Sequence, residues 1–391
     1  MKIFNSIQNS LRILGIHEPE PNCNRFTLKR VLILYTFTQI AISTTAFFLI
    51  EAKSFRDITY SLYTAATSTL YVSCFSLMIF YMENTFQLIE NLEYIIETRL
   101  VNSMSKPLYE AMNLLIEKKC RTIHIVILNV TYPGILLPRF LLSYFLYFTT
   151  DLGNDSFTLP VPVWLSILSW KTPYTYPIMF IVLTISSYIL LSCCKCVISL
   201  FIGLAMVFMT FIKDMELELQ TLKENNKTDG NVQRFRDFVQ FHAHVKKRAS
   251  EFTELYSTVI TGYYLWSIIT IGVTLLIVIM ETSHHQMYTI ELIEPIIMMF
   301  WSFIQMFVFC NFGEHVNSGF KELSDALYCC DWYCLPYDIR RMLPIVMIAT
   351  QKPAIRGSGD IPCSRESFSE VLNNGFEYFR IVREIGHLHA H

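Results

Sequence analysis

The chain has 391 residues, of which 52% are hydrophobic and 16% are charged, and its mean hydropathy is +0.37. The charged fraction lies well below the about 25% of a typical soluble domain, and the net charge of -2 gives no sign of nucleic-acid binding. Long uncharged apolar runs therefore indicate an integral membrane protein. Because no short apolar stretch with a small-residue cleavage site begins the chain, we expect the first span to act as its own insertion signal.

Three predicted spans occupy the first part of the chain. Val31 to Ile50 and about Ile58 to Met82 carry no charge, and each provides the roughly 20 apolar residues that a spanning helix needs. Residues 83–122 mix charges with apolar side chains at helical spacing, which predicts an amphipathic cytosolic or interfacial helix. The third span, about Ile123 to Thr149, contains Arg139 and two prolines that should kink it.

The fourth apolar stretch, Tyr176 to Ile212, has 37 residues and would reach roughly 55 Å as one helix. Two short spans with a turn at Lys195 are an alternative, but no Pro, Gly or Asn lies in 192–198 to break the helix. We therefore expect a single helix that projects into the cytosol. The fifth and sixth spans are predicted at about Tyr256 to Met280 and Leu292 to Phe312.

The distribution of lysine and arginine predicts the orientation. Segments 1–30, 83–122, 213–255 and 312–365 hold 5, 5, 8 and 6 of them, whereas 51–57, 150–175 and 281–291 hold 2, 1 and 0. A ratio of 24 to 3 places the N-terminus in the cytosol and, after one further helix, the C-terminus outside.

The C-terminal region carries two unusual segments. The apolar run at 342–349 is too short to cross a bilayer, so it predicts a buried cytosolic helix. In Ser364 to Ile385, Glu370, Glu377 and Glu384 lie seven residues apart and form one stripe on a helix. Such a stripe suits a pore-lining helix of an oligomeric cation channel, since acidic rings favour cations. A soluble amphipathic helix packed on a cytosolic face explains the same spacing.

Motifs in the last 80 or so residues follow a recognisable order. They run from FGEHVNSGFKELSDALYCCDWY through RRMLPIVMIATQKPAIRGSG to RESFSEVLNNGFEYFRIVREI. Tyr328 and Trp332 are followed by a Leu-Pro, by Gln351-Lys352-Pro353 and by Tyr378-Phe379. In order and spacing this pattern resembles the C-terminal signature of insect odorant receptors. Upstream of about residue 300 the resemblance is one of architecture.

The resemblance implies an all-α membrane protein with seven transmembrane helices, a cytosolic N-terminus, an extracellular C-terminus and a cytosolic helical anchor region. It implies a ligand pocket within 1–312, the anchor region at 313–363, and a pore-lining seventh helix with a short external tail at 364–391. The chain would be one subunit of a tetrameric channel.

The resemblance also implies a function. It is that of an odorant-gated, non-selective cation channel subunit that acts with the shared odorant co-receptor as a heterotetramer. The expected partners are a small volatile apolar odorant, the co-receptor and the lipid bilayer, with no nucleic acid, G protein or cofactor. The expected location is the plasma membrane, in dendrites of olfactory sensory neurons.

Other classes of protein fit less well. A gustatory-type chemoreceptor channel of the same superfamily is the closest alternative. A G-protein-coupled receptor would have its N-terminus outside, against the charge distribution. No Ser-His-Asp pattern with supporting context, phosphate loop or HExxH motif points to an enzyme. The clustered cysteines, such as Cys193, Cys194 and Cys196, are expected to pack between helices, because adjacent cysteine pairs are poor geometry for zinc.

The odorant pocket should be apolar and aromatic with a few polar groups, and the resemblance places it in the outer half of spans two to six. The candidates recur at three- or four-residue spacing: Tyr60, Tyr63, Thr67, Phe140, Ser143, Tyr144, Tyr147, Phe180, Thr184, Ser187, Tyr188 and Met298, with Met299 and Ser302 as further contributors. Ordinary interhelical packing is the alternative for each of them. The candidates for the pore and gate are Glu377, Ile381, Glu384 and Ile385.

Overall fold

The computed structural model of the chain describes residues 55–100, 105–124, 132–149, 172–224, 228–283, 289–329, 332–334 and 337–388, with short pieces between 33 and 46. The described residues form the helices α1 Phe55–Phe80, α2 Met82–Leu100, α3 Lys106–His124, α4 Tyr132–Thr149, α5 Thr175–Glu224, α6 Thr228–Ser283, α7 Thr289–Tyr328, α8 Tyr337–Gln351 and α9 Arg365–Leu388. Apart from one isolated bridge between Arg356 and Pro362, this part of the chain has no β-structure, which confirms the all-α prediction.

The two longest helices, α5 and α6, have 50 and 56 residues. The helix α5 passes through Lys195 without a break, as the absence of helix breakers there predicts. By length and composition, Thr175–Thr221 and Val232–Ile279 are able to cross a membrane. A third crossing is added if Ala65–Phe80 and Met82–Leu100, which meet at 63°, count as one span. Most of the predicted first span lies outside the described residues.

A large core surrounds the middle of α5, where residues 193–208 are buried on every side. The ring of Phe201 lies 5.4 Å from the ring of Tyr256 on α6 and 4.7 Å from that of Phe309 on α7. Phe208 extends these aromatic contacts to Phe252, at 5.6 Å. A helix that is apolar all round is buried in a protein core or in a membrane, and here the surrounding helices cover it.

The helices α2 and α3 confirm the amphipathic prediction for residues 83–122. Each turns one apolar stripe inward: Phe86, Ile89, Leu92 and Ile96 on α2, and Tyr109, Met112, Ile116 and Cys120 on α3. Their opposite faces carry exposed charges such as Glu90, Glu97, Lys118 and Arg121. This burial at three- and four-residue spacing is what the hydrophobic pattern requires of a surface helix.

A buried polar network joins α2 and α3 to α5. Asp214, which is 1% exposed, accepts hydrogen bonds from the Ser105 hydroxyl and from the Tyr109 hydroxyl, the latter at 3.0 Å. Arg99 Nε lies 3.5 Å from Asp214 Oδ2, and its guanidinium also pairs with Glu218. Burial and the nearby Asp214 raise the pKa of Tyr109, so its hydroxyl stays protonated and donates.

The short helix α8 is only half buried, which corrects the prediction that it is a buried helix. Leu343 and Val346 pack inward, whereas Ile345 and Ile348 are 68% and 60% exposed. The segment after it is held by Asn317 of α7, whose Oδ1 accepts from the backbone N–H groups of Ala354 and Ile355 at 2.8 and 2.9 Å. The sequence alone does not predict the exposed apolar stripe on α8, because a short apolar run does not specify which face of its helix is covered.

Candidate functional site

An aromatic cluster joins α4 to the start of α5 and contains four of the predicted pocket residues: Phe140, Tyr144, Tyr147 and Phe180. At its centre is Tyr176, which is fully buried and stacks on Phe140 with ring centroids 5.8 Å apart and planes at 10°. Phe140 also lies 5.0 Å from Phe180. The Tyr144 hydroxyl donates to the carbonyl of Pro173 at 3.0 Å, which fixes the polar end of that side chain.

Tyr176 is missing from the predicted pocket, although its spacing from Phe180 could have identified it. It lies four residues before Phe180, so the two share a face of α5.

Ser143, another predicted pocket residue, belongs to α4 and is 1% exposed.

The remaining α5 candidates follow the cluster along the same helix. The Ser187 hydroxyl donates back to the carbonyl of Leu183 at 2.8 Å. Thr184 is partly buried, whereas Tyr188 is 41% exposed. The cluster therefore includes the first of the four α5 candidates, Phe180, and the other three continue away from it.

Thr67 lies in a different group of contacts, between α1 and α6. Its hydroxyl accepts a hydrogen bond from Trp266 Nε1 at 3.1 Å. The Trp266 ring is 6.3 Å from Tyr71 and 6.0 Å from Tyr263. The structure thus separates Thr67 from the α4–α5 cluster and connects it to the core of the bundle.

A row of buried polar groups runs between α5, α6 and α7. Cys194 Sγ lies 2.8 Å from the Tyr263 hydroxyl and accepts from Gln305 Nε2 at 3.1 Å. One turn further along their helices are Ser267 and Ser302, both fully buried. In the described part of the chain, the side-chain oxygens of both serines and Gln305 Oε1 have no hydrogen-bond partner. Because buried polar atoms are normally paired, this row is suited to hold the polar end of a small molecule or water.

Three predicted positions lie in α1 or α7, but their side chains are outside the described part of the structure: Tyr60, Tyr63 and Met298. Met299 is described, and it packs with Ile271, Met306 and Cys310 between α6 and α7. The side chain of Ile385, on α9, is also outside the described residues.

The last helix, α9, packs one face on α6 and leaves the acidic side uncovered. Val371 and Gly375 are buried against α6, whereas Glu377, Ile381 and Glu384 are exposed. Glu377 pairs with Arg380 at 2.9 Å, and Glu370 Oε2 accepts from the Tyr264 hydroxyl of α6 at 3.3 Å. Three of the four predicted pore positions therefore lie on the surface of the chain.

Two glycines allow this close contact between α6 and α9. A Cβ atom on Gly272 would lie 2.1 Å from Cδ1 of Tyr378, and one on Gly375 would lie 2.8 Å from Cγ2 of Ile271. Both distances are shorter than real Cβ contacts, so any larger residue requires the helices to move apart. The ring of Tyr378, from the Tyr-Phe motif, therefore occupies a space that is open only because Gly272 has no side chain.

The cysteines show no chemistry of their own. Cys193, Cys194 and Cys196 are buried and free, as are Cys310 and Cys363. Among the described residues, no group of His, Cys, Asp or Glu has the arrangement of a metal site. For Cys329, the one exposed free cysteine in this part, no role follows from its surroundings.

Comparison with known proteins points to one family. A family model described as 7tm Odorant receptor matches residues 54–376. Putative odorant receptor 92a of Drosophila melanogaster is 23% identical over 172 residues, which are 42% of this chain and 40% of that protein. The Odorant receptor coreceptor of Aedes albopictus is 25% identical over 181 residues, covering 43% and 37%. The chain thus spans about two fifths of the length of these curated relatives.

The fold has a counterpart among solved structures. The insect olfactory receptor OR5 from Machilis hrabei, solved in complex with eugenol, superposes with a TM-score of 0.79 and 13% identity. The match covers 98% of this chain and 97% of that one. A second structure of the same receptor matches with a TM-score of 0.77. The two chains therefore share the same helical fold.

Proposed function

The chain belongs to the 7tm odorant receptor family, and from this premise we propose that it is the odorant-binding subunit of a non-selective cation channel. It is a receptor of the membrane rather than an enzyme. The proposal rests on one observation above all: within this fold, α9 packs against α6 and leaves Glu377, Ile381 and Glu384 uncovered. A charged stripe at membrane depth has to face water or protein, and a water-filled pore between subunits supplies both.

The odorant site of this proposal lies between α4 and α5, with the buried polar row as its deeper part. The aromatic rings offer apolar surface, and Gln305 with the two buried serines offers hydrogen bonds. The eugenol complex of the similar OR5 receptor supports a small-molecule ligand. Odorant binding shifts an equilibrium between closed and open states by its difference in affinity for the two. The contacts of Trp266 with Thr67 and of Tyr378 with Gly272 carry the change to α9.

The proposed partner is the shared odorant co-receptor, in a heterotetramer in the plasma membrane of olfactory dendrites. The similarity to the Odorant receptor coreceptor of Aedes albopictus supports a common subunit architecture. The seven spans, the cytosolic N-terminus and the pore helix at 364–391 belong to this proposal. Epitope tags at both ends test the orientation, and an external N-terminus would contradict it.

Co-expression with the co-receptor under voltage clamp tests the function. We expect at least one odorant of a broad panel to evoke an inward cation current that is absent when either subunit is omitted. Surface biotinylation of the chain is the control for expression. Silence towards the whole panel despite normal surface levels would remove the main support for an odorant receptor.

Replacing Phe140 with alanine is expected to raise the half-maximal odorant concentration by about tenfold, since the ring contacts Tyr176 and Phe180 at the centre of the cluster. Phe145→Ala on the same helix is the matched control, because Phe145 is 61% exposed. Dose–response curves for one agonist check the difference. Equal shifts in both variants would contradict a pocket centred on Phe140.

Replacing Glu384 with glutamine is expected to lower single-channel cation conductance by about twofold to threefold at low ionic strength. One unit charge about 6 Å from the ion path has an energy of this size in water, and salt screens it. Glu117→Gln, at an exposed position on α3, is the control for charge. A conductance unchanged at every salt concentration would show that Glu384 does not line the pore.

A further inference from the structure

A cavity of about 410 Å³ opens between α6 and α8, far from the proposed odorant pocket and from the acidic stripe of α9. We call it the α6–α8 cleft. Its apolar lining comes from Val239 and Ala243 of α6 and from Ile345, Val346 and Ala349 of α8. The volume lies within the about 300–1,000 Å³ of sites that bind small molecules.

The α6–α8 cleft has a basic side. Lys246 and Lys247 line it, and Lys246 Nζ donates to the backbone carbonyl of Lys352 at 2.8 Å. The same ammonium lies 4.3 Å from the ring centroid of Phe320. Burial and then the charge of Lys352 lower the pKa of Lys246 to about 8. Across the described ranges, neither Lys246 nor Lys247 forms an ion pair, so the cleft carries positive charge without a counter-charge.

His242 adds a polar group to the same lining. It is 3% exposed, and its Nε2 has no hydrogen-bond partner in the part of the chain that the structure describes. Burial and then the charge of Lys246 lower the pKa of His242 to about 4, so the imidazole is neutral near pH 7. A neutral imidazole nitrogen either donates or accepts one hydrogen bond. Because buried polar atoms are nearly always paired, a partner from outside the chain is expected here.

We propose that the α6–α8 cleft binds an amphipathic carboxylate of the fatty-acid type. Its hydrocarbon chain covers the apolar wall, and its carboxylate pairs with Lys246 and Lys247 and accepts a hydrogen bond from His242. A neutral odorant would leave the partly buried positive charge of Lys246 without a counter-charge, which costs free energy. A small hydrophilic anion would leave the apolar wall exposed to water. Only a ligand with a chain and an anionic head satisfies both sides.

The position of the cleft indicates where such a ligand comes from. His242 precedes Tyr256, at which the fifth span is predicted to begin, by 14 residues, or about 21 Å along the helix. In the proposed orientation this segment extends into the cytosol, beyond the headgroups of the inner leaflet. The ligand is therefore a free cytosolic carboxylate rather than a membrane lipid.

Photolabelling tests the site on the full-length receptor, co-assembled with the co-receptor in lipid nanodiscs. The probe is dodecanoate with a diazirine near its chain end. We expect saturable labelling of peptides that contain 239–247 and 345–349, competed by dodecanoate but not by dodecanol. The double variant Lys246→Gln/Lys247→Gln should weaken competition by about tenfold or more. Lys118→Gln on α3, an exposed lysine elsewhere, should leave it unchanged.

A second variant is independent of charge. Ala349→Phe fills the cleft and should abolish labelling of these peptides, while odorant-evoked currents persist because Ala349 is remote from the odorant pocket. Competition by dodecanol as strong as by dodecanoate would overturn the proposal, because it would reduce the cleft to a non-specific apolar surface. Labelling confined to α4 and α5, or labelling that neither variant changes, would overturn it as well. The labelling outcomes do not depend on whether the chain conducts ions.

Discussion

Replacing Asp214 with alanine is expected to prevent stable folding of the receptor. Asp214 is 1% exposed and is the shared acceptor for Ser105 and Tyr109, with the Arg99 guanidinium beside it. Removing one member of a buried charge network costs about 3–5 kcal/mol, because the remaining groups stay buried without their partner. Against a total of about 5–15 kcal/mol for a folded domain, this loss is severe. Surface biotinylation and thermal unfolding in detergent measure it.

Two further variants separate charge from geometry. Asp214→Asn keeps an oxygen for the two hydroxyl donors but loses the ion pair, so an intermediate loss of stability is expected. Glu218→Gln is the matched control. The Glu218 side chain is 26% exposed, so water replaces part of the ion pair with Arg99 that this substitution removes. If Asp214→Ala were no less stable than Glu218→Gln, the buried network would contribute no more to the stability of the fold than a surface ion pair does.

Replacing Gly272 with alanine is expected to abolish odorant-evoked current while the receptor still reaches the cell surface. The added Cβ would lie 2.1 Å from Cδ1 and 3.2 Å from Cγ of Tyr378. The clash therefore involves the part of the ring nearest the backbone, which moves less easily than the far end of a flexible side chain. Overpacking of this kind costs about 1–3 kcal/mol. Because α6 and α9 are in extensive contact, the strain falls on the helix that carries the acidic stripe. Whole-cell recording with surface quantification is the measurement.

The design of this experiment includes a rescue. Tyr378→Ala removes the ring that the new methyl group meets, so Gly272→Ala/Tyr378→Ala should regain part of the current that the single variant loses. Gly262→Ala on the same helix is the control, since its Cβ would lie 3.2 Å from the movable Cδ1 of Leu70. Full current in Gly272→Ala would contradict a role for this contact in gating, and so would equal loss in Gly262→Ala.

Several features of the fold follow from the sequence because they depend on neighbours in the chain. The unbroken helix through Lys195 follows from the absence of Pro, Gly and Asn around it. The inward stripes of α2 and α3 follow from apolar residues at three- and four-residue spacing. The last helix begins at Arg365, one residue after the predicted start at Ser364. Each of these depends on local spacing alone.

The pocket shows where sequence reasoning stops. Phe140 and Phe180 were predicted separately, each from the pattern of its own helix, and the structure joins them through Tyr176. Thr67 had an equally suitable pattern, yet it contacts Trp266 in another part of the bundle. Periodicity identifies the residues that share a face of one helix, but it does not say which other helix that face meets.

The sequence by itself determined the class of protein, the predicted orientation and the family signature near the C-terminus. These depend on apolar length, on the bias of lysine and arginine, and on the order of short motifs, all of which are local or additive properties of the chain. Only the tertiary structure decided that Asp214 meets Arg99, that Tyr378 occupies the space above Gly272, and that His242 lines a cleft with α8. Such contacts join residues far apart in the chain, and they are set by how the packed helices are rotated and shifted against one another.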